Sequence, residues 1–413
     1  MNSCQEKTVY VLGAGFSAAA RLPMQDDILS GLLEEIGYSL FGMVPDQSEK
    51  EFRDRLRDDI VEVKAFVERC FPDPNQPLED VFTLLDQTIQ LRGHFAGYDH
   101  LSLIQIRNRW LNLIYGFFHA NLASYLKSSE GLYQQFAAFL LATRMRDGIQ
   151  SDPASVISLN WDSLLEESIY QVLNNTGGIG KADVDHCVYT TPLDDSPHTP
   201  SPKQKAAGIY NLKILKIHGS ISWLRCPNSN HLYTGLGASK DPYETYLRPR
   251  KSPFIAQQFP DQDEQEAPFL EPFIITPTYA KVFDQPHIQT TWHNTYVELR
   301  EASRVVFVGY SLPEADYHFR TLLRRAIRKN TKIDVVLYKN DEKPSDPDYM
   351  LLDPSLQTLK ENASFAVDRY RRLFGDERIN FNFKGVADLI ESCLPEEDFA
   401  SSIDEIKELF KSR

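Results

Sequence analysis

The sequence predicts an α/β protein: a Rossmann-like, mostly parallel sheet of about six strands, with a large helical insertion and a helical C-terminal tail. Three observations lead there. Six short apolar runs show little alternation, as strands covered on both faces should. Several end in Gly, Asn, His or Ser and pass directly into helical periodicity, the order expected of a parallel sheet with ligands beyond its strand C-termini. The gap between the first two runs is too long for one crossover and carries apolar residues at helical spacing.

The runs are Val9–Leu12, Val156–Leu159, Leu212–Ile217, Phe273–Thr276, Val305–Val308 and Ile333–Tyr338. After the first, Ile28, Leu29, Leu32, Leu33, Ile36 and Leu40 fall at helical spacing, as do Phe52, Leu56, Ile60, Val63 and Val67. Trp110, Ile114 and Phe117 repeat the pattern and Leu132–Arg144 continues it, while Pro72, Pro74 and Pro77 interrupt the series. Residues 31–150 are therefore expected to form the insertion. Residues 1–30 and 151–345 are expected to form the Rossmann-like domain, and 346–413 a C-terminal extension with helices over Ser355–Phe374, Val386–Cys393 and Ser402–Lys411. Gly177–Ala207 and Cys226–Pro268, rich in Pro, Asp, Ser, Gly and Gln, read as surface loops.

Of the 413 residues 42% are apolar, enough to bury a core without disulfides or metals. Lys and Arg total 44 against 58 Asp and Glu, a net charge of −14, which argues against a main surface that grips duplex nucleic acid. Nucleic-acid contact stays open for local basic faces at Arg248, Arg250 and Lys251 or at Arg324, Arg325 and Arg328. The longest apolar stretch, Phe136–Ala142, falls far short of the roughly 20 residues of a membrane helix, so no membrane is expected. The N-terminus carries Glu6 and Lys7 and no signal-peptide core. Five scattered cysteines (Cys4, Cys70, Cys187, Cys226 and Cys393) without a CxxC fit a reducing, cytoplasmic compartment and exclude a zinc ribbon on paired cysteines.

Four strand ends carry polar motifs, and a fifth follows the last run. Gly13-Ala14-Gly15-Phe16-Ser17-Ala18-Ala19-Ala20 is a GxGxxA turn that leaves a strand and opens a helix. Glycine there admits a pyrophosphate to the backbone, and the alternative is a tight structural turn. An ordinary dehydrogenase would place an acidic residue at a second strand tip about 20 positions on. Here Glu34 and Glu35 lie inside a helical pattern and Arg21-Leu22-Pro23 follows the glycines. Ser158-Leu159-Asn160-Trp161-Asp162 closes the second run, and Ser163 with Glu166 matches a capping box. Asn160 and Asp162 either turn and cap the chain or place an amide and a carboxylate beside a nucleotide. Ile217-His218-Gly219-Ser220 puts the one histidine of ten that sits on a strand tip at the rim where α/β sites lie. Val308-Gly309-Tyr310-Ser311-Leu312, followed by Glu314 and Asp316, and Tyr338-Lys339-Asn340-Asp341 are ordinary turns or the seat of a ribose and adenine.

Assembled in this order over residues 8–341, the motifs resemble the sirtuin superfamily, and the sirtuin-like domains of bacterial anti-phage defence more than the protein deacylases. The departures are a missing four-cysteine zinc module, Arg21-Leu22-Pro23 in place of the usual deacylase phrase, and no recognisable acyl-lysine groove. The resemblance implies NAD+ as substrate, no zinc, and an NAD+ glycohydrolase that releases nicotinamide and ADP-ribose and so depletes an infected cell of the cofactor. By resemblance Asn160 positions the ribose and the attacking water. His218 contacts the ribose hydroxyls or acts as general base, and Asp162 holds the nicotinamide end or orients its neighbours. Gly13, Ala14, Gly15 and Ser17 bind the pyrophosphate, Gly309, Ser311 and Asn340 line the adenosine half, and Phe16 and Arg21 complete the cofactor-binding set. The resemblance also implies a homo-oligomer and, in one branch, a HerA-type hexameric ATPase as partner. A protein deacylase, an ADP-ribosyltransferase, a non-catalytic NAD- or ADP-ribose-binding subunit and a nuclease are the alternatives. The geometric expectation is that Asn160 and His218 meet over one pocket floored by the glycine turn.

Overall fold

The structure, a computed structural model, describes residues 6–18, 20, 22, 50–71, 76–128, 131–146, 148, 151–188, 190–192, 210–234, 270–279, 281, 283, 285–338 and 365–411. The chain begins with β1 (Thr8–Leu12) and the short α1 (Ala14–Ala18). Then come α2 (Lys50–Cys70), α3 (Leu78–Gln90), α4 (His100–Ser128) and α5 (Leu132–Arg146). Next are β2 (Ala154–Ser158), α6 (Leu164–Thr176), β3 (Ala182–Asp185), β4 (Thr191–Pro192), β5 (Tyr210–Lys216), β6 (Gly219–Arg225), β7 (Leu232–Thr234) and β8 (Glu271–Ile274). The remainder is α7 (Pro286–Glu301), β9 (Arg304–Val308), α8 (Tyr317–Ala326), β10 (Lys332–Val336), α9 (365–374), β11 (Ile379–Asn382), α10 (Gly385–Cys393) and α11 (Glu396–Lys411).

Seven strands form a Rossmann-like sheet in the order β11–β10–β9–β1–β2–β5–β3, and its described pairings are all parallel. From β1 the chain lays down β2, then β3 at the edge and β5 between them on one side, and afterwards β9, β10 and β11 in turn on the other. Strand order therefore reverses between β1 and β9, where an α/β sheet opens a crevice at its C-terminal edge. Register sets the tips level: Leu12 pairs with Ser158 on one side and Val308 on the other, and Ser158 pairs with Lys216.

Side chains alternate along β1 as a pleated strand requires. Tyr10 and Leu12 join a core with Phe136 of α5, Leu165 of α6, Val386 of α10 and Ile406 of α11. Val9 and Val11 join the opposite core with Leu299 of α7, Phe319 of α8 and Tyr370 of α9. Burial on both faces is why the central strands are continuous apolar runs.

Several sequence expectations change. Phe273–Thr276, expected in the main sheet, belongs instead to a second sheet of order β4–β7–β6–β8, where β8 runs antiparallel to β6. Two short, polar edge strands, β3 and β11, bring the main sheet to seven. Among the described residues the C-terminal stretch is thus mostly helical but also supplies a sheet edge. The strand-like β3, β4 and β7 fall within segments expected to be loops, because short runs such as Ala182–Asp185 carry little apolar signal. The expected helix over Ile28–Leu40 lies outside the described residues. Among the described residues no helix is long and apolar enough to cross a membrane.

Candidate functional site

At the switch point the turn after β1 packs backbone to backbone on the turn after β9. Gly13 N donates to Val308 O at 3.0 Å and Gly15 N to Gly309 O at 2.8 Å. A Cβ on Gly13 would lie 2.6 Å from Tyr310 Cα, and one on Gly309 would lie 2.3 Å from Phe16 N. Gly309 also has φ +61°, a left-handed backbone that favours glycine. The glycines are thus required by the crossing of the two turns.

Asn160 reaches across this crossing. Its Nδ2 donates to Gly13 O and to Ser17 Oγ, both at 2.9 Å. Because Gly13 O can only accept, the nitrogen must face it, and Oδ1 is left as the amide's acceptor. Ser17 Oγ in turn donates to Asp162 Oδ2 at 2.7 Å, and Asp162 Oδ1 accepts Leu164 N–H at 3.0 Å. Asp162 therefore caps α6 and pins α1. The capping box expected at Ser163 and Glu166 does not form: Ser163 makes no side-chain cap, and Glu166 instead pairs with the buried Lys216 at 3.2 Å. Lys216 also donates to Asp162 O. Burial pushes the Asp162 carboxyl above the usual carboxylate range, against the opposing pull of Lys216 and the two hydrogen bonds.

His218 occupies the two-residue turn from β5 into β6. Nδ1 lies 3.2 Å from Leu159 O, and Nε2 lies 3.1 Å from Lys281 Nζ. An ammonium has no lone pair, so Nε2 must be the acceptor and Nδ1 must carry the proton that Leu159 O accepts. Lys281 also donates to Asp316, whose Oδ1 is 3.7 Å from His218 Nε2, and Tyr310 Oη donates to Asp316 Oδ2 at 2.9 Å. Burial first, then the Lys281 charge, lowers the His218 pKa to about 4. The carboxyl of Asp316 is held below its usual range because Lys281, His218 and two hydrogen bonds outweigh its desolvation.

These groups line one cavity of about 330 Å³, in the size range of small-molecule sites (about 300–1,000 Å³). Asn160 and His218 both line it, as do Gly13, Ala14, Gly15 and Ser17. So do Asp162, Gly309 and Ser311. Phe16 does not: it is buried among Tyr133 and Phe136, because helical spacing turns it away from Ser17 and into the core. Arg21 and Asn340 lie outside the described residues. The wall also holds residues that sequence reasoning did not assign to the site: Lys281, Asp316, Tyr310, Arg369 and Glu79. Asp316 was legible as part of the Gly309 motif, whereas Lys281 sits in irregular chain with no spacing signal. Among the described residues one acidic group, Asp152, Glu298 and Glu301, has metal-like geometry, but Lys7 and Lys213 lie within it.

No family model and no curated protein matches the chain. Solved structures similar to it include a Sir2 in complex with the inhibitor EX-527, 2′-O-acetyl-ADP-ribose and a deacetylated p53 peptide (12% identity, 95% of this chain and 94% of that one, TM-score 0.34). A Sir2–p53 peptide–NAD+ structure matches at 11% identity, 95% and 93% coverage and TM-score 0.32. A Sir2 homologue mutant with ADP-ribose matches at 14% identity, 89% and 94% coverage and TM-score 0.31. Likenesses this loose carry no residue role, ligand or activity over to this chain.

Proposed function

We propose that the chain hydrolyses NAD+ at the nicotinamide–ribose bond, giving nicotinamide and ADP-ribose. The observation that supports this is the meeting of Asn160 and His218 in one cavity beside the Gly13–Ser17 turn, at the switch point of a parallel sheet. Nicotinamide is a cationic leaving group, so the ribose C1′ ionises with little acid help. The protein's task is to hold the ring system, favour positive charge at C1′ and place a water. Asn160 Oδ1 is free to accept from a ribose hydroxyl or that water, while its Nδ2 is fixed on Gly13 and Ser17. His218 offers an unprotonated Nε2, and a general base of this kind is worth about 10²–10⁴-fold. Both oxygens of Asp162 are already engaged, which favours a role in holding Ser17 and α6 rather than touching substrate.

Purified chain incubated with NAD+ should release nicotinamide and ADP-ribose in equal amounts without an acyl-lysine peptide. Asn160→Ala and His218→Ala should each lower the rate at least about 100-fold while retaining cooperative unfolding. Turnover by both variants at the parental rate would overturn the site. Release only when acyl-lysine peptide is present would make the protein a deacylase instead.

The proposal extends to anti-phage defence by NAD+ depletion in the cytoplasm, by a homo-oligomer with a HerA-type ATPase as partner; the ordered motif set alone supports this part. NAD+ should fall after infection only in cells carrying an intact His218, and the chain should co-elute with the ATPase. Unchanged NAD+ and separate elution would remove this extension and leave the chemistry standing.

A further inference from the structure

We propose that Lys281 is a positioning residue for His218: together with Asp316 it holds the imidazole as the Nδ1–H tautomer with its Nε2 lone pair at the cavity, and substrate must replace Lys281 as the partner of that lone pair. The substrate's identity rests on the function proposed above; the contact between Lys281 and His218 does not.

The geometry is specific. Lys281 is almost wholly buried, with a side chain 4% exposed, yet it lines the cavity. A buried ammonium needs partners, and it has Asp316 Oδ1 and His218 Nε2. Its place is set from outside the Rossmann-like sheet. Ile275 N donates to His218 O at 2.8 Å, Thr276 Oγ1 to Asp86 at 2.6 Å, and Tyr279 N to Thr83 Oγ1 at 2.9 Å. The segment that carries Lys281 is thus fastened at one end to the histidine's own backbone and along its length to α3.

The arrangement also supplies a route for a proton. When a substrate hydroxyl or water gives its proton to Nε2, one O–H bond breaks and one N–H bond forms. The new imidazolium then faces Asp316, 3.7 Å away, while Lys281 turns its N–H groups onto Asp316 alone. The proton leaves later to solvent. Among the described residues, the charged groups that act on the imidazole are Lys281 and, before α8, Asp316, while Asp162, Glu79 and Arg369 line the same cavity. Tyr310, from the turn after β9, donates to Asp316, and His318 of α8 feels the charges of both Lys281 and Asp316.

The test is a pH titration of ¹³C-labelled histidine side chains by NMR in the full chain, with His218→Gln identifying the His218 signal. In the parent, His218 should stay neutral down to about pH 4. In Lys281→Met its proton affinity should rise about tenfold or more, and Lys281→Arg should restore the parental curve. Asp316→Asn should give no such rise, because it removes the opposite charge. A Lys281→Met curve that overlies the parent's, or moves to lower pH, would overturn the proposal; a residue that only supports packing would give the former. Nicotinamide release is read separately: if the parent releases it, the acid limb of the Lys281→Met pH profile should move upward with the titration. If the parent releases none, the function proposed above falls while the titration still decides the role of Lys281.

Discussion

Gly309 carries the tightest constraint in the molecule's two crossing turns, and substitution there separates crowding from backbone preference. A Cβ at Gly309 meets Phe16 N at 2.3 Å on a backbone of φ +61°. Gly375 has φ +82° with nothing within 4 Å. Gly375→Ala should therefore cost about 1 kcal/mol, the left-handed penalty alone, and Gly309→Ala about 3 kcal/mol or more, because two backbones must part. Urea midpoints compare the two; equal losses would mean that the turns are not locked together. His218 gives a second residue-scale prediction. Its folded pKa of about 4 lies below the ordinary 6.5. Between those values the unfolded chain binds the proton and the folded one does not, so stability rises with pH across that window. The contribution is complete above about pH 6.5 and lost as pH falls towards 4. Urea midpoints at pH 4.5 and 7 should differ more in the parent than in His218→Gln.

At the scale of elements, the helical region between β1 and β2 reaches into the site through α3. Thr83 accepts Tyr279 N–H and meets Thr278 Oγ1 at 3.2 Å; Asp86 accepts Thr276 Oγ1–H and pairs with Arg107 at 2.6 Å. Thr83→Ala should cost only about 1 kcal/mol of stability. It should lower nicotinamide release by roughly 10- to 100-fold, since it removes the two ties nearest Lys281 and loosens the end of the segment that aims it. An unchanged rate at that small stability loss would show that α3 does not position the segment. This coupling was not legible in the sequence, for a physical reason. Central strands announce themselves because burial on both faces demands runs such as Val9–Leu12 and Val305–Val308. Asn160 and His218 were legible because they follow such runs directly. The α3 clamp joins residues about 190 positions apart, Thr83 to Thr278 and Asp86 to Thr276, and no local period records that. Phe273–Thr276 shows the converse error: its apolar content matched a core strand, but Gly219 turns the chain straight from β5 into β6, and β8 pairs with β6. Edge strands such as Ile379–Asn382 are half-exposed and leave a weak pattern.

Across the whole molecule the sheet has two unlike ends. The C-terminal edge carries the cavity, whereas the opposite edge is tied by charge. Lys7, just before β1, bridges Asp152 at 2.7 Å, Glu298 at 2.6 Å and Glu301 at 3.1 Å, and Lys213 of β5 bridges Asp152 and Glu298, both at 2.7 Å. The network joins β1, β5, the lead into β2, and α7. The acids alone resemble a cation site, but two ammonium groups already supply the positive charge. Glu298 is almost fully buried, so Glu298→Ala leaves Lys7 and Lys213 short of a partner and should cost about 3–5 kcal/mol at pH 7. Because the network lies at the far end of the strands, the specific rate of nicotinamide release should stay at the parental value. The signs of the shifts set the pH dependence. Burial raises the Asp152 carboxyl's pKa, but the two lysines more than offset it and hold it below 3.8, so its contribution is present above that value and lost as pH falls. Burial lowers the Lys213 pKa, but Asp152 and Glu298 more than offset it and hold it above 10.5, so its contribution is present below that value and lost as pH rises. The difference in urea midpoint between parent and Glu298→Ala should therefore hold through neutral pH and narrow as pH rises above about 10.5, where Lys213 of the unfolded chain loses its proton. A difference that is flat with pH would mean that Glu298 acts through packing rather than charge, and a parallel fall in nicotinamide release would mean that the two ends of the sheet are coupled.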